Sequence, residues 1–129
     1  MPQKPLGQLT EPMFYVLMAF SRAPRCGTEV NAYVEQRTNG RVRLGPGTLY
    51  TILAKFEEVG YLREIEVVGR RRTYEITQAG WDAYRHELDR LQQCLTDAEQ
   101  EAIAWQTTND KPADQSATFP RIPQPVRLG

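Results

Sequence analysis

The sequence predicts a mainly α-helical protein with one small β-hairpin. Three short segments with the apolar spacing of amphipathic helices come first, then two alternating segments separated by Gly69-Arg70-Arg71, and finally a long segment with a 3.5-residue apolar repeat. With 129 residues, 40% hydrophobic and 25% charged, the chain has the length and composition of one folded globular domain.

The first two helices are marked by capping residues and turn formers. The first is predicted from about Glu11 to Ser21, with Thr10 as its cap and Ala23-Pro24 after its end. A second helix is predicted to begin near Thr28, whose hydroxyl would cap it, and to stop at Asn39-Gly40.

The third helix has the clearest boundaries. Gly45 is its expected N-cap, Pro46 its first residue and Gly60 its stop signal. Just before it, the alternation in Val42-Arg43-Leu44 predicts a small strand. One helix face is apolar, and the opposite face carries Tyr50, Thr51, Lys55 and Glu58.

A hairpin and a long helix complete the predicted fold. Arg63, Ile65 and Val67 alternate with glutamates, and Thr73-Tyr74-Glu75-Ile76 alternates again, which predicts a hairpin with a basic tip. Thr77 is the expected N-cap of the last helix. The sustained 3.5-residue repeat in that helix is typical of a seam packed against another helix. The repeat consists of Trp81, Tyr84, Leu88, Leu91, Leu95, Ala98, Ala102 and Trp105.

Three short helices followed by a hairpin is the order of a winged helix-turn-helix, in which the third helix fits the DNA major groove and cations on the wing reach the backbone. Each candidate residue also has a plainer interpretation: the arginines as a charged turn, Tyr50 as packing, and Lys55 as a partner of Glu58. The candidate DNA-binding residues are Arg43, Thr48, Tyr50, Thr51, Lys55, Arg70, Arg71 and Arg72.

Charge and composition exclude several function classes. The net charge is zero, but residues 1–80 carry +3 (eleven basic against eight acidic residues) and residues 81–129 carry −3 (five against eight). No apolar run approaches the ~20 residues of a membrane span, and the N-terminus lacks the apolar stretch of a signal peptide, so we expect a cytoplasmic protein without a membrane partner. Cys26, Cys94 and His86 lie too far apart for a metal site, and we expect no cofactor.

We expect no enzymatic activity. The sequence has no nucleophile beside a plausible base and no phosphate-cradling glycine loop, and the adjacent Glu57 and Glu58 diverge on their helix. Cys26 is interpreted as a small semi-buried side chain and not as a redox switch, while a crosslink through Cys94 across a dimer is left open.

The motifs resemble those of the PadR family of bacterial transcriptional regulators, and the resemblance covers roughly residues 9–105. It implies a homodimeric winged-helix repressor whose long C-terminal helix forms the dimer contact, with Thr48, Tyr50 and Lys55 on the DNA-facing helix. The motifs are Gly47-Thr48-Leu49-Tyr50, then Leu53, Lys55, Phe56, Glu57 and Gly60-Tyr61-Leu62, and later Arg71-Arg72-Thr73-Tyr74 with Ile76-Thr77-Gln78-Ala79-Gly80.

The chain departs from the family pattern in three places. Thr51 stands where many members have proline, and Cys26-Gly27-Thr28-Glu29 replaces a His-Gly-Tyr-Glu-like opening of the second helix. Some short members bind flat aromatic drugs between subunits, with a tryptophan of the last helix stacking on the ligand. Here Trp81 and Trp105 lie at the ends of that helix, so we interpret them as core packing and as a dimer-end contact.

Three regions are therefore expected: a winged helix-turn-helix over 1–77, a dimerisation helix over 78–105, and a disordered Pro-rich tail over 106–129 that contains a P-x-x-P match. The expected partners are double-stranded DNA, a second copy of the chain and a small-molecule effector. The alternative is a dimeric module that binds a protein without reading DNA, and replacing the wing arginines would separate the two. The predicted dimer interface contains Tyr84, Leu88, Leu91, Leu95, Ala98, Ala102 and Trp105.

Overall fold

The computed structural model describes residues 6–108 and has the helical order predicted from the sequence. The structure is mostly helical, with one small antiparallel sheet of strand order β1-β3-β2. Its elements are α1 (Glu11–Phe20), β1 (Arg25–Cys26), α2 (Gly27–Arg37), α3 (Pro46–Glu58), β2 (Leu62–Val68), β3 (Arg71–Ile76) and α4 (Gln78–Thr108).

The predicted boundaries of α1 and α3 are confirmed. The Thr10 hydroxyl accepts a hydrogen bond from the backbone N–H of Met13 at 3.3 Å, and α1 ends at Phe20. Helix α3 begins at Pro46 after Gly45 as N-cap. It ends one residue before Val59, and Gly60 follows with φ +81°, the left-handed conformation that terminates helices.

The start of α2 differs from the prediction. The residue that precedes the helix as N-cap is Cys26, not Thr28, and the Glu29 carboxylate accepts a hydrogen bond from its backbone N–H at 2.9 Å. The reason is the short strand β1, which sequence patterning missed: Arg25 pairs with Tyr74 and Cys26 with Thr73. Because these two residues belong to the sheet, α2 starts directly after them.

The predicted strand Val42-Arg43-Leu44 is wrong, since this segment has no regular secondary structure. The backbone N–H of Val42 instead donates to the Thr38 hydroxyl at 3.0 Å. Val42 and Leu44 are buried because they close the core between α2 and α3, and this burial produces the same alternation as a strand.

The predicted hairpin is confirmed and is called the wing here: β2 and β3 are antiparallel, with Val68 paired to Arg71 around a turn at Gly69 (φ +61°) and Arg70. The base of the wing packs on the helices through a shared core. Its fully buried large side chains come from α1, α2, α3 and the start of β2: Phe20, Phe56, Leu17, Leu53, Leu62, Val16, Val30 and Val34.

Helix α4 begins as predicted after Thr77, whose hydroxyl accepts from the backbone N–H of Gly80 at 3.1 Å. The helix runs continuously to Thr108, so it includes 106–108, which the sequence interpretation assigned to the tail. The rest of that tail, with its P-x-x-P match, lies outside the described residues. The chain divides into two compact units, Met1–Gln92 and Gln93–Gly129.

A buried carboxylate that the sequence analysis did not single out holds the segment before α1. Glu87 of α4 is only 3% exposed and accepts hydrogen bonds from the Leu9 backbone N–H at 3.4 Å and from the Arg90 Nε at 2.9 Å. The Arg90 hydrogen bond lowers the pKa of Glu87, against the opposing effect of burial. This carboxylate therefore favours the folded state while it is ionised.

We expect Glu87→Gln to reduce the free energy of unfolding at pH 7 by about 2 kcal/mol, because Arg90 loses a charged acceptor. The folded-state pKa of Glu87 lies below the ordinary pKa of a glutamate carboxyl, about 4.3. The stabilisation is therefore complete above that ordinary value and is lost as the pH falls through the lowered pKa. Urea unfolding from pH 7 to 3 should show the wild type and Glu87→Gln converging in acid. A pH-independent difference would contradict an ionic role for Glu87.

Candidate nucleic-acid interface

Helix α3 turns its polar face to solvent. Thr48, Tyr50, Thr51 and Lys55 are all exposed, and the Tyr50 side chain is 57% exposed. The opposite face of the helix fills the core. A shallow groove of about 470 Å³ on this face is called the α3 groove, and it is lined by Tyr50, Thr51, Ala54, Lys55 and Glu58.

Lys55 is weakly paired. Its Nζ lies 3.7 Å from a carboxylate oxygen of Glu58, one turn further along the helix, and both side chains are largely exposed. Exposed pairs of this kind contribute little to stability, since water and salt screen them. Lys55 can therefore exchange Glu58 for a phosphate oxygen at small cost.

Tyr50 lies against the start of α2. A Cβ atom built on Gly27 would lie 3.2 Å from both the hydroxyl oxygen and the Cε1 atom of the Tyr50 ring. The missing side chain at position 27 thus permits the close approach of the phenol ring. The packing interpretation and the interface interpretation of Tyr50 both apply, because one edge of the ring contacts α2 while more than half of the side chain faces solvent.

The three wing arginines have different surroundings. Arg72 is bound by the Glu64 carboxylate, lies 3.5 Å from Glu57 of α3, and has its guanidinium 5.4 Å from the centre of the Tyr74 ring. The hydrogen bond that Arg72 donates to the Glu64 carboxylate raises the pKa of Arg72. Arg72 therefore holds the wing against α3, which makes it less available to DNA than its neighbours.

Arg70 and Arg71 are more available. Arg71 has one long ion pair, 3.6 Å to Glu29 of α2, and Arg70 has no charged partner among residues 6–108. Both are exposed, Arg70 in the wing turn and Arg71 as the first residue of β3. Their charges can reach an anion without leaving a buried partner unpaired.

A cavity of about 320 Å³ lies between the wing and the helices, and we call it the wing cavity. Tyr50 lines both this cavity and the α3 groove, so the two surfaces are continuous. Besides Tyr50, the lining includes Thr28, Tyr74, Arg70, Arg71 and Arg72. The structure therefore brings Tyr50 together with the predicted wing arginines.

Arg43 lines neither the wing cavity nor the α3 groove, and Thr48 likewise lies outside both linings, whereas Thr51 and Lys55 line the α3 groove. It is exposed in the connection before α3, and its guanidinium lies beside Gly40, where a Cβ would be 3.2 Å from one Nη atom. Gly40 has φ +76°, a conformation that favours glycine. Arg43 thus precedes α3 in the chain and lies beside the turn at Gly40.

The predicted seam of α4 divides into an inward-facing and an outward-facing part. The Tyr84 ring stacks on Phe14 of α1 at 5.2 Å between ring centres, and Trp81 lies 5.7 Å from Tyr84. Leu88, Leu91 and Leu95 are 43%, 37% and 48% exposed, which is high for leucine. Ala98 is also exposed, whereas Ala102 and Trp105 are half-buried.

Tyr74 and Glu87 are structurally prominent residues that the sequence analysis left unassigned. Tyr74 appeared only as part of an alternating strand and a family motif, and alternation does not show which face of a two-sided strand lines a cavity. Glu87 lies between two seam positions, where a charged residue normally indicates a solvent-exposed site. It is buried because the segment before α1 passes over it, with the Leu9 backbone N–H donating to its carboxylate.

Within residues 6–108, the side chains do not bring three His, Cys, Asp or Glu residues together in a way that could hold a metal ion. The Cys26 thiol is buried, whereas the Cys94 side chain is exposed. None of the helices in this part of the chain has the length and hydropathy of a membrane span.

Comparison with known proteins places the chain in one family of transcriptional regulators. The sequence model of the transcriptional regulator PadR-like family matches residues 16–86. A 37.1 kDa protein described as uncharacterized, from transposon TN4556 of Streptomyces fradiae, is 39% identical over 72 residues, which are 56% of this chain. The match spans 20% of that relative's length.

Solved structures share the fold at low sequence identity. A transcriptional regulator from Clostridium thermocellum has a TM-score of 0.62 and 21% identity, covering 68% of this chain and 89% of its own. A PadR family transcription regulator from Clostridium difficile has a TM-score of 0.60 and 16% identity, covering 70% and 96%. Bacillus subtilis PadR, solved in complex with operator DNA, has a TM-score of 0.53 and 14% identity, covering 61% and 48%.

Proposed function

Because the chain belongs to the PadR-like family of transcriptional regulators, we propose that it is a repressor that binds double-stranded operator DNA as a homodimer. Helix α3 enters the major groove, and the wing contacts the flanking backbone. The proposal is supported by a relative of the same fold that was solved with operator DNA. In the cell such a protein acts in the cytoplasm, where its DNA is.

The observation that carries the proposal is the continuous surface from the α3 groove to the wing cavity. Lys55 and Thr51 lie at one end, Arg70 and Arg71 at the other, and Tyr50 contributes to both. An α-helix fits the DNA major groove, where its hydroxyl groups can reach base edges and neighbouring cations can neutralise phosphates. The side chains of this face are therefore exposed for contact with a ligand, while the core is built by the other face.

Two copies joined through α4 present two recognition helices. In a two-fold dimer these helices read half-sites about 34 Å apart, so the operator is a pseudo-palindrome. In the same proposal a small-molecule effector releases the operator. Once titration has identified an operator duplex, small molecules can be screened for those that release it from the protein.

The first experiment is an anisotropy titration with duplex DNA from upstream of the coding region at several salt concentrations. Tight binding with a steep salt slope and a sequence preference supports the regulator. Weak binding that ignores sequence favours the protein-interaction module.

We expect Lys55→Ala to weaken binding to every duplex and to reduce the salt slope by about 1, because one phosphate contact is lost. Tyr50→Ala and Thr51→Ala should instead alter the preference between duplexes. Arg37→Ala is the matched charge control: Arg37 lies in the last turn of α2, close enough to Tyr84 to influence its pKa. An unchanged slope for Lys55→Ala would remove α3 from the DNA interface.

A further inference from the structure

The exposed leucines of α4 do not by themselves orient a second copy of the chain. Leu88, Leu91 and Leu95 form an apolar face that another α4 can cover, as the proposed homodimer requires. Apolar contact is non-directional, so these side chains can pack against a parallel or an antiparallel helix. In paired helices the charged residues beside the apolar seam set the orientation and the choice of partner. The charges that flank the leucines therefore indicate how two copies meet.

The charges of α4 are distributed unevenly along the helix. The half from Gln93 to Thr108 contains three acidic residues, one of them Glu99, and no lysine, arginine or histidine. A cation for these carboxylates must therefore come from outside this half. The half before it carries two arginines, and one of them, Arg90, is bound by Glu87. The other arginine, Arg85, can supply its charge to the acidic half of a second copy.

Arg85 and Glu99 occupy equivalent places beside the seam. Arg85 directly follows Tyr84 and Glu99 directly follows Ala98, which is the same position of the apolar repeat two heptads later. Both charged side chains are exposed, and neither makes an ion pair within residues 6–108. Each can therefore gain a partner from a second copy without giving up one in its own chain.

We propose that two copies pair through antiparallel α4 helices, in which Arg85 of each copy binds Glu99 of the other. When Leu91 of one copy packs against Leu95 of the second, Arg85 lies six residues before the first leucine and Glu99 lies four after the second. This offset of two residues is about 3 Å along the helix, which two long side chains can span. The proposal rests on the homodimer of the proposed function and adds its orientation and its selectivity.

The seam residues fit the antiparallel arrangement. Leu88 of one copy then lies opposite Ala98 of the other, so that a large side chain meets a small one and the layers interdigitate. In a parallel pair each residue would oppose its own copy, which places alanine against alanine. Arg85 and Glu99 would also lack an opposite charge across a parallel seam, because the residues five positions before them are a glycine and a cysteine.

The opposite flank of the seam is compatible with this arrangement. There Glu87 of one copy approaches Glu101 of the other, and both residues are acidic. The Glu87 carboxylate is buried and bound by Arg90, so a neighbouring guanidinium already compensates its charge. The orientation is therefore set by the flank that carries Arg85 and Glu99.

The test uses two charge reversals, Arg85→Glu and Glu99→Arg. Each variant alone places two like-charge pairs in an antiparallel dimer, which should weaken dimerisation at least about tenfold. In an equimolar mixture the heterodimer regains two opposite-charge pairs with reversed sign. It should therefore form with an affinity within about threefold of the wild-type dimer. Sedimentation equilibrium gives the affinities, and native mass spectrometry identifies the heterodimer by its mass.

Gln100→Arg is the matched control, because it adds a positive charge to the exposed residue next to Glu99, away from the seam positions. This variant should dimerise like wild type, and its mixture with Arg85→Glu should contain no preferred heterodimer. Circular dichroism compares the folding of all variants. If a reversal folds poorly, a double-mutant cycle of Arg85→Ala and Glu99→Ala measures the same coupling.

The outcomes separate this proposal from the proposed function. A monomeric wild type refutes the homodimer and the Arg85–Glu99 pair with it. A wild-type dimer that tolerates both reversals, or two weakened variants that form no heterodimer, keeps the homodimer and refutes the pair alone. A wild-type dimer that binds no duplex refutes the DNA-binding function, and the mixing experiment still decides the pair.

Discussion

Gly80→Ala is expected to destabilise the protein by about 3 kcal/mol or more and to lower the thermal midpoint by at least about 10 °C. A Cβ atom at this position would lie 2.2 Å from the backbone oxygen of Tyr61 and 2.9 Å from Cγ1 of Ile76. Neither atom can withdraw easily. The Tyr61 carbonyl accepts a hydrogen bond from the Thr77 backbone N–H at 3.0 Å, which joins the start of α4 to the base of the wing.

The matched control is Gly47→Ala in the first turn of α3. No heavy atom lies within 4 Å of a Cβ built on Gly47, and the residue is exposed. Alanine favours a helix over glycine by up to about 1 kcal/mol, so this variant should be as stable as wild type or slightly more stable. Circular dichroism during heating measures both variants. Equal midpoints for Gly80→Ala and wild type would show that α4 does not pack on Tyr61 this closely.

The helices could be predicted from sequence because their signals are local. Pro46 after Gly45 marks the start of α3, and the hydroxyls of Thr10 and Thr77 cap helices within three residues of themselves. The length of α4 followed from a repeat sustained over many turns, which a short element cannot carry. Each of these features depends on neighbours in the chain.

The sheet could be predicted only in part, because strand pairing joins residues that are far apart in the sequence. Strand β1 has two residues, Arg25 and Cys26, and it forms because β3 lies beside it. No pattern within two residues can reveal a partner almost fifty positions away. The buried Val42 and Leu44 show the converse, since alternation reports burial of every second residue and not strand pairing.

The residues of the candidate interface could be predicted from the sequence, whereas the ion pairs of the arginines and the cavity between wing and helices could not. Sequence placed Tyr50 and Lys55 on the polar face of α3 and the arginines on the wing, and both placements agree with the structure. It treated the three arginines alike, whereas Arg72 is bound by Glu57 and Glu64. The wing cavity depends on close packing between Gly27 and Tyr50, and such packing has no signature in a single sequence.

Leu91→Glu is expected to convert the proposed homodimer into a monomer and to reduce operator affinity at least about 100-fold. Leu91 is 37% exposed in the single chain, so a charge there costs the fold little. In a seam with two-fold symmetry the two glutamates would be desolvated near each other, beside Leu88 and Leu95. A monomer contacts only one half-site, so it also loses the affinity that a dimer gains by binding both half-sites together.

Sedimentation equilibrium measures the mass of each variant in solution. Anisotropy titrations with an operator duplex and with a half-site duplex measure how much affinity is gained by binding both half-sites together. Gln100→Glu is the matched control, because it adds the same charge to an exposed position of α4 away from the heptad positions of Leu91 and Leu95. We expect this variant to keep both the dimer mass and the operator affinity, while Leu91→Glu binds full and half sites equally. A dimer mass retained by Leu91→Glu would exclude the leucine face of α4 as the contact between copies, and operator binding would then need another surface to set the spacing of the recognition helices.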